Sequence, residues 1–293
     1  MADKSNISWT QTTWNVFSGC TKISPGCDHC YASELAERYR GTPAYPNGFD
    51  LTLRLHKMKD PLKWKEPREI FVNSMSDLFL GGVPEDVIRG MWDVMLATPQ
   101  HMYQILTKRP IPAARIIADL ELPVPDHIWL GVSVESQDYA SRIDDLLELP
   151  GKNKFLSCEP LIGPLDIWDW LDVMPSDNPA IKWVIDGGES GAGRRLADPD
   201  WFRSIRDQCV AAGVLYYHKQ GNAHRPGMDR VLDGRTWEQH PNRLELPDNI
   251  ERMPALGQLQ LLTGDETPAY GEYEHETMGH VIDLGEGTAE HGG

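Results

Sequence analysis

Cys20, Cys27 and Cys30 place three of the chain's five cysteines within eleven residues, in the spacing C-x6-C-x2-C. Thiolates are soft ligands, and three on one short loop can meet at a single metal or cluster. Pro25 and Gly26 punctuate the loop, and a helix-like stretch begins at Tyr31. Structural zinc takes four Cys or His ligands, usually as two knuckles, and no second cysteine pair occurs in this chain. Three thiolates therefore leave one position vacant. In an iron–sulfur cluster that position is an iron open to a substrate or cofactor; in a zinc site it takes water or a distant histidine. Thiols without metal are the third reading. Cys209 recurs at helical spacing with Trp201 and Ile205, and Cys158 reads as a small buried residue at a strand end.

The other residues equipped for chemistry follow apolar runs. Ser74, Ser76 and Asp77 come after residues 69–73 and offer hydroxyls and a carboxylate, either to an ammonium group or to a helix cap. Lys108 and Arg109 come after residues 102–106. Two fixed cations suit a carboxylate or phosphate, or an ion pair with Glu159 or Glu189. Ser133 and Glu135 follow residues 128–132, Glu159 follows 154–156, Gly187, Gly188 and Glu189 follow 181–186, and Lys219 follows 214–218. Buried carboxylates need a cation or a hydrogen-bonded ligand, and paired glycines let backbone approach a ligand closely. Lys108, Arg109, Glu159 and Lys219 are the candidate catalytic residues.

These clusters demand a scaffold that brings strand ends together. Seven apolar runs, the first over residues 14–17, are separated by helical or turn segments, as in residues 84–96, 113–120 and 138–147. Short continuous apolar runs alternating with amphipathic helices predict parallel strands covered by helices and joined by right-handed crossovers. The polar clusters share one end of their strands, so the expectation is an α/β fold, a complete or partial (β/α) barrel of TIM type with its site at the carboxyl ends. The predicted organisation is a flexible N-terminus over 1–8, a barrel with an irregular closing segment over 9–245, and an acidic, mostly disordered tail over 246–293.

Composition narrows the function classes. The net charge is −16, of which residues 261–293 supply −8 with eight acids and no Lys or Arg. The remaining −8 argues against broad electrostatic binding of a polyanion. An odd cysteine count, no signal-like opening and no apolar run of membrane-spanning length predict a reducing cytoplasm and no membrane partner. The ten tryptophans fall mostly in apolar runs and read as core.

Trp14-Asn15, Cys20-Thr-Lys22, Ser24-Pro-Gly-Cys27, Val72-Asn-Ser-Met-Ser-Asp77, Thr107-Lys-Arg-Pro110, Gly131-Val-Ser-Val-Glu135, Glu159-Pro-Leu161, Gly187-Gly-Glu-Ser-Gly191 and Asp233-Gly-Arg-Thr-Trp237 together resemble a phage and bacterial family known for its three-cysteine motif. A three-cysteine loop after the first strand of a parallel barrel also resembles the radical S-adenosylmethionine superfamily. The latter resemblance implies a [4Fe-4S] cluster on Cys20, Cys27 and Cys30, with S-adenosylmethionine on its fourth iron and an external electron donor. The first cysteine gap here has six residues where that superfamily commonly has three. Ser74-Met-Ser-Asp77 stands where its second strand ends in Gly-Gly-Glu, and Gly187-Gly188-Glu189 lies on the sixth strand instead. His29 replaces its aromatic before the third cysteine and is the candidate to stack near an adenine, with Ser133 and Glu135 placed by analogy at a ribose or carboxylate. The implied reaction is reductive cleavage to a 5′-deoxyadenosyl radical, and the analogy extends to a nucleotide or nucleic-acid substrate. Two other classes stay open: a zinc-containing nucleic-acid or protein-binding module, and a metal-dependent hydrolase or nuclease using Asp77, Glu135, Glu159 and Glu189.

Overall fold

The computed structural model describes residues 5–171, 181–191, 193–225 and 227–241; the tail expected over 246–293 lies outside them. Seven strands form one parallel sheet in sequence order. These are β1 (Thr12–Trp14), β4 (Glu69–Val72), β5 (Met102–Thr107), β6 (Ile128–Ser133), β7 (Lys154–Cys158), β8 (Ile181–Gly187) and β9 (Leu215–Gln220). The helices are α1 (Tyr31–Arg38), α2 (Glu85–Ala97), α3 (Pro110–Asp119), α4 (Ser141–Glu148), α5 (Trp168–Leu171) and α6 (Pro199–Ala212). Among the described residues β1 and β9 do not pair, so the sheet is a curled half-barrel rather than a closed ring.

Side-chain parity builds two cores. Ile70 and Val72, Tyr103 and Ile105, and Val184 and Tyr216 face the helices, whereas Phe71, Trp129, Phe155, Trp183 and Tyr217 face the concave side. Trp9 plugs that concavity: its ring centroid lies 4.7 Å from Phe71 on β4 and 6.0 Å from Trp183 on β8. Four strand spacings of about 4.8 Å would separate these strands in a flat sheet, so one indole can bridge them only because the sheet curls. Gly131 makes room for the Phe155 ring on the same face, since a Cβ there would stand 2.5 Å from it.

Local chemistry sets the element ends. Asp198 accepts a hydrogen bond from the Asp200 amide at 2.9 Å, Pro199 opens α6, and Gly213 at φ 70° closes it. The first parallel strand covers 12–14 rather than 14–17, because Asn15 leaves the ladder: its Oδ1 accepts the Met75 amide at 3.0 Å. The chain then forms β2 (Phe17–Ser18), antiparallel to β3 (Thr52–Leu53). Helix α3 starts at Pro110, three residues before the expected Ala113, with the proline in its first turn. Asp233 and Gly234, at φ 53° and 80°, turn the hairpin of β10 (Val231–Leu232) and β11 (Arg235–Thr236). Residues 237–239 then run along β9 and cover its edge, with the His218 amide bonded to the Trp237 carbonyl at 2.8 Å. No described helix is long and apolar enough to cross a membrane.

Candidate functional site

The thiol loop, residues 20–30, lies over the carboxyl ends of the parallel strands. Its entry is fixed at Gly19, at φ 101°, where a Cβ would stand 2.5 Å from the Asp50 carbonyl carbon. The Gly19 amide donates to the Met75 carbonyl at 3.0 Å, which sets Cys20 beside the end of β4. Three polar clamps hold the loop down. Arg109 donates to the Thr21 carbonyl at 2.7 Å and Oγ1 at 2.9 Å, to Asp77 Oδ2 at 3.0 Å, and to Cys20 Sγ at 3.5 Å. Ser24 donates to Glu135 Oε1 at 2.6 Å, and a Cβ on Gly26 would stand 2.5 Å from the same oxygen. Arg195 donates to the Pro25 carbonyl at 2.7 Å and lies 3.8 Å from Asp28. The loop's far end passes into α1, where the Tyr31 hydroxyl donates to the Ser74 carbonyl at 2.7 Å.

Cys20, Cys27 and Cys30 are half-buried and free. Burial pushes the Cys20 thiol above its ordinary range, partly opposed by the Arg109 guanidinium. Among the described residues, no three His, Cys, Asp or Glu side chains stand together so as to hold one metal ion. The donor set suits a soft metal in kind, while the three sulfurs do not converge on a single point. A cluster in which each thiolate binds its own iron asks less convergence of them than one zinc ion does.

The carboxylates at the mouth are committed to partners. Asp77, buried, accepts the Phe79 amide at 3.0 Å, Thr107 Oγ1 at 2.8 Å, the Lys108 amide at 3.1 Å and Arg109. That fills the acceptor positions of both oxygens. Glu135, fully buried, lies 2.7 Å from Arg142 and 3.4 Å from Lys108 Nζ. Glu189 is gripped by the Arg195 guanidinium and accepts its amide at 2.7 Å. Lys108 and Arg109 thus pair with Glu135 and Asp77 at neighbouring strand ends, not with Glu159 or Glu189 across the mouth. Glu159 pairs with Lys219, and the two side chains keep 18% and 15% exposure. This pair is partly open and has hydrogen-bonding capacity left over.

The remaining candidates divide. Ser74 Oγ exchanges hydrogen bonds with the Asn15 amide at 3.2–3.3 Å, and Ser76 Oγ donates to the Phe17 carbonyl at 3.3 Å. Ser133 is buried, and its carbonyl accepts Arg142 at 2.8 Å. At Gly188 a Cβ would stand 2.6 Å from the Gly221 carbonyl oxygen, so that glycine serves the packing of β8 against β9; at Gly187 a Cβ would make ordinary contacts with Glu159 and Gln220. His29 is exposed, and its ring stands beside Gly193. Sequence assigns no role to Asn15, Ser24, Tyr31, Arg142 or Arg195, although Asn15 and Ser24 fall inside motifs that carry the family resemblance. Ser24 is inside the thiol loop and Arg195 follows a glycine-rich turn, but nothing in their spacing names their partners. On the helix side of the sheet, Asp186 Oδ1 lies 2.7 Å from His218 Nδ1 and Oδ2 accepts the Tyr216 hydroxyl at 2.6 Å. All three are buried, and desolvation raises the Asp186 carboxyl above its ordinary value despite both partners. The parity shared with Val184 points this network away from the mouth.

Residues 4–241 match the family described as Protein of unknown function (DUF5131). No curated protein and no solved structure matches the chain.

Proposed function

The chain belongs to the DUF5131 family, and from its site we propose a radical S-adenosylmethionine-type iron–sulfur enzyme. Cys20, Cys27 and Cys30 would hold a [4Fe-4S] cluster, with S-adenosylmethionine beside it in the mouth of a partial TIM-like barrel. The observation that carries this reading is the loop itself: three free thiols on a loop clamped over the strand ends by side chains from the segments that follow β4, β5, β6 and β8. When bound, such a cluster and cofactor supply one-electron reductive cleavage of the sulfonium to a 5′-deoxyadenosyl radical.

The chain's own residues would position and shield. Arg109 directs an N–H at Cys20 Sγ while tying the loop to Asp77. Hydrogen bonds to thiolate sulfur are among the factors that set a cluster's potential. Lys219 and Glu159, of opposite charge and partly open, match the carboxylate and ammonium of an amino-acid moiety. Glu135, buried between Lys108, Arg142 and Ser24, holds the loop rather than a ligand. An external protein donates the electron, and a reducing cytoplasm suits thiols that stay free.

The test is anaerobic reconstitution with iron and sulfide, then dithionite and S-adenosylmethionine, with 5′-deoxyadenosine quantified. The reading expects the product from wild type and none from Cys27→Ala. Stoichiometric zinc in colourless protein, or activity that survives Cys27→Ala and fails in Glu189→Ala, would replace it with a zinc module or a carboxylate-metal hydrolase.

A further inference from the structure

The net charge of −16 conceals a basic strip. Residues 54–68 hold six Lys or Arg against Asp60 and Glu66, which leaves the rest of the chain more acidic still. The strip is attached to the site. Its first residue follows β3, the partner of β2, and β2 runs into Gly19 and Cys20. The Arg54 amide donates to the Val16 carbonyl at 2.6 Å, and the Lys57 carbonyl accepts Trp14 Nε1 at 2.9 Å. From there the strip descends the flank of the sheet to the start of β4. Arg54 is taken up by Ser18, Ala44 and the Tyr45 ring, and Arg68 lies over Trp64. Lys63 pairs with Asp60 at 2.9 Å. Lys57, Lys59 and Lys65 have no acidic partner among the described residues; Lys65 is exposed and the other two are half-exposed. Joined to the strip by the loop between them, α1 carries Tyr31 at its first position and is followed by Tyr39 at its C-cap; the two are 49% and 47% exposed. Helix and strip are joined through the intervening loop: Glu37 accepts the Phe49 amide at 2.9 Å, and Arg40 lies 3.2 Å from Asp50.

We propose that this strip, with the rings at the two ends of α1, binds a single-stranded nucleic acid and leads it to the mouth that the thiol loop covers. Resting on the functional reading above, this names the substrate class. Lysines without an acidic partner displace counterions from a sugar-phosphate backbone, and half-exposed rings offer faces on which unpaired bases stack. An acidic polypeptide would use the lysines but gain nothing from the rings. The acidic remainder of the surface repels phosphates, which restricts binding to this flank.

The experiment is fluorescence anisotropy with a labelled oligonucleotide of about 20 nucleotides, as single-stranded DNA and as RNA. It is run on the full chain and on the triple variant Cys20→Ser, Cys27→Ser, Cys30→Ser. With three to four phosphate contacts, affinity should fall about 30-fold between about 50 and 200 mM salt. Lys57→Glu with Lys59→Glu and Lys65→Glu should abolish measurable binding and flatten the salt dependence; the corresponding Gln variant, which removes charge without reversing it, guards against misfolding. Tyr39→Ala should weaken binding about tenfold, and Lys152→Glu, on a distant exposed lysine, should leave it unchanged. No binding by wild type at low salt would overturn the proposal. So would binding indifferent to the triple reversal, or polyglutamate of equal length competing as well as the oligonucleotide. Binding does not need the thiols, so oligonucleotide binding without 5′-deoxyadenosine formation removes the radical reading and leaves the strip. The reverse pair of results removes the strip alone.

Discussion

Arg109→Ala tests whether the thiol loop is held to the barrel by a buried guanidinium clamp. The Arg109 and Asp77 side chains are 10% and 8% exposed and 3.0 Å apart. Removing one member of a buried pair commonly costs about 3–5 kcal/mol, because the surviving charge is left uncompensated. Asp77 would keep the Phe79 amide, Thr107 Oγ1 and the Lys108 amide, which still solvate its carboxylate. That places the pair at the lower end, about 3 kcal/mol, and the two bonds to Thr21 add about 1 kcal/mol each where they are not replaced by water. The expected loss of about 3–5 kcal/mol is a large fraction of the roughly 5–15 kcal/mol that keeps a domain folded. Urea unfolding of the metal-free chain measures the total. Hydrogen exchange locates it, with residues 20–30 losing protection while β5 and β6 keep theirs. A loss below about 0.5 kcal/mol, the range of an ordinary surface substitution, with unchanged exchange over 20–30, would refute the clamp. A double cycle with Asp77→Asn should show strong coupling between the two positions.

Gly26→Ala should destabilise the docked loop by about 1–3 kcal/mol, since the added Cβ meets Glu135 Oε1 at 2.5 Å; thermal melting and iron uptake both report it, and an unshifted melt would contradict the contact. Lys219→Met and Glu159→Gln should each weaken S-adenosylmethionine binding at least about tenfold by calorimetry, the size expected for losing one charge-assisted hydrogen bond, and equal affinity in both variants would remove the pair from the ligand site. Burial holds His101, His127 and His240 below the ordinary histidine value of 6.5. The unfolded chain therefore takes up protons at these positions as pH falls below 6.5 while the folded chain does not. Stability should be full above that pH and decline below it, and His127→Gln should reduce the decline in acid melts.

The scaffold is legible because six of the seven parallel strands are apolar runs followed by a polar cluster, a pattern set locally by burial on both faces. Partner choice is not. Lys108 and Arg109 looked across the mouth to Glu159 and Glu189 in sequence, but adjacent strands order the contacts. The end of β5 lies beside β4 and β6, so Asp77 and Glu135 are within reach first. The start of the fold departs from the sequence pattern where Asn15 turns the chain by a side-chain hydrogen bond to Met75, an interaction spanning 60 residues. The tryptophans as a group read as core, yet the place of Trp9 as the plug between β4 and β8 depends on curvature that no local pattern encodes. The Asp186–His218 pair could have been assigned to the helix side from its two-residue offset from Val184 and Tyr216, because alternation along a strand is fixed.

The most direct test of the cluster assignment is electron paramagnetic resonance on anaerobically reconstituted, dithionite-reduced protein before and after S-adenosylmethionine is added. With about four irons and four sulfides per chain, the expected result is a reduced-cluster signal that changes shape when S-adenosylmethionine is added, and no cluster in Cys20→Ala, Cys27→Ala or Cys30→Ala. A fully loaded cluster whose signal ignores S-adenosylmethionine, or a cluster that assembles equally well without these thiols, would contradict it.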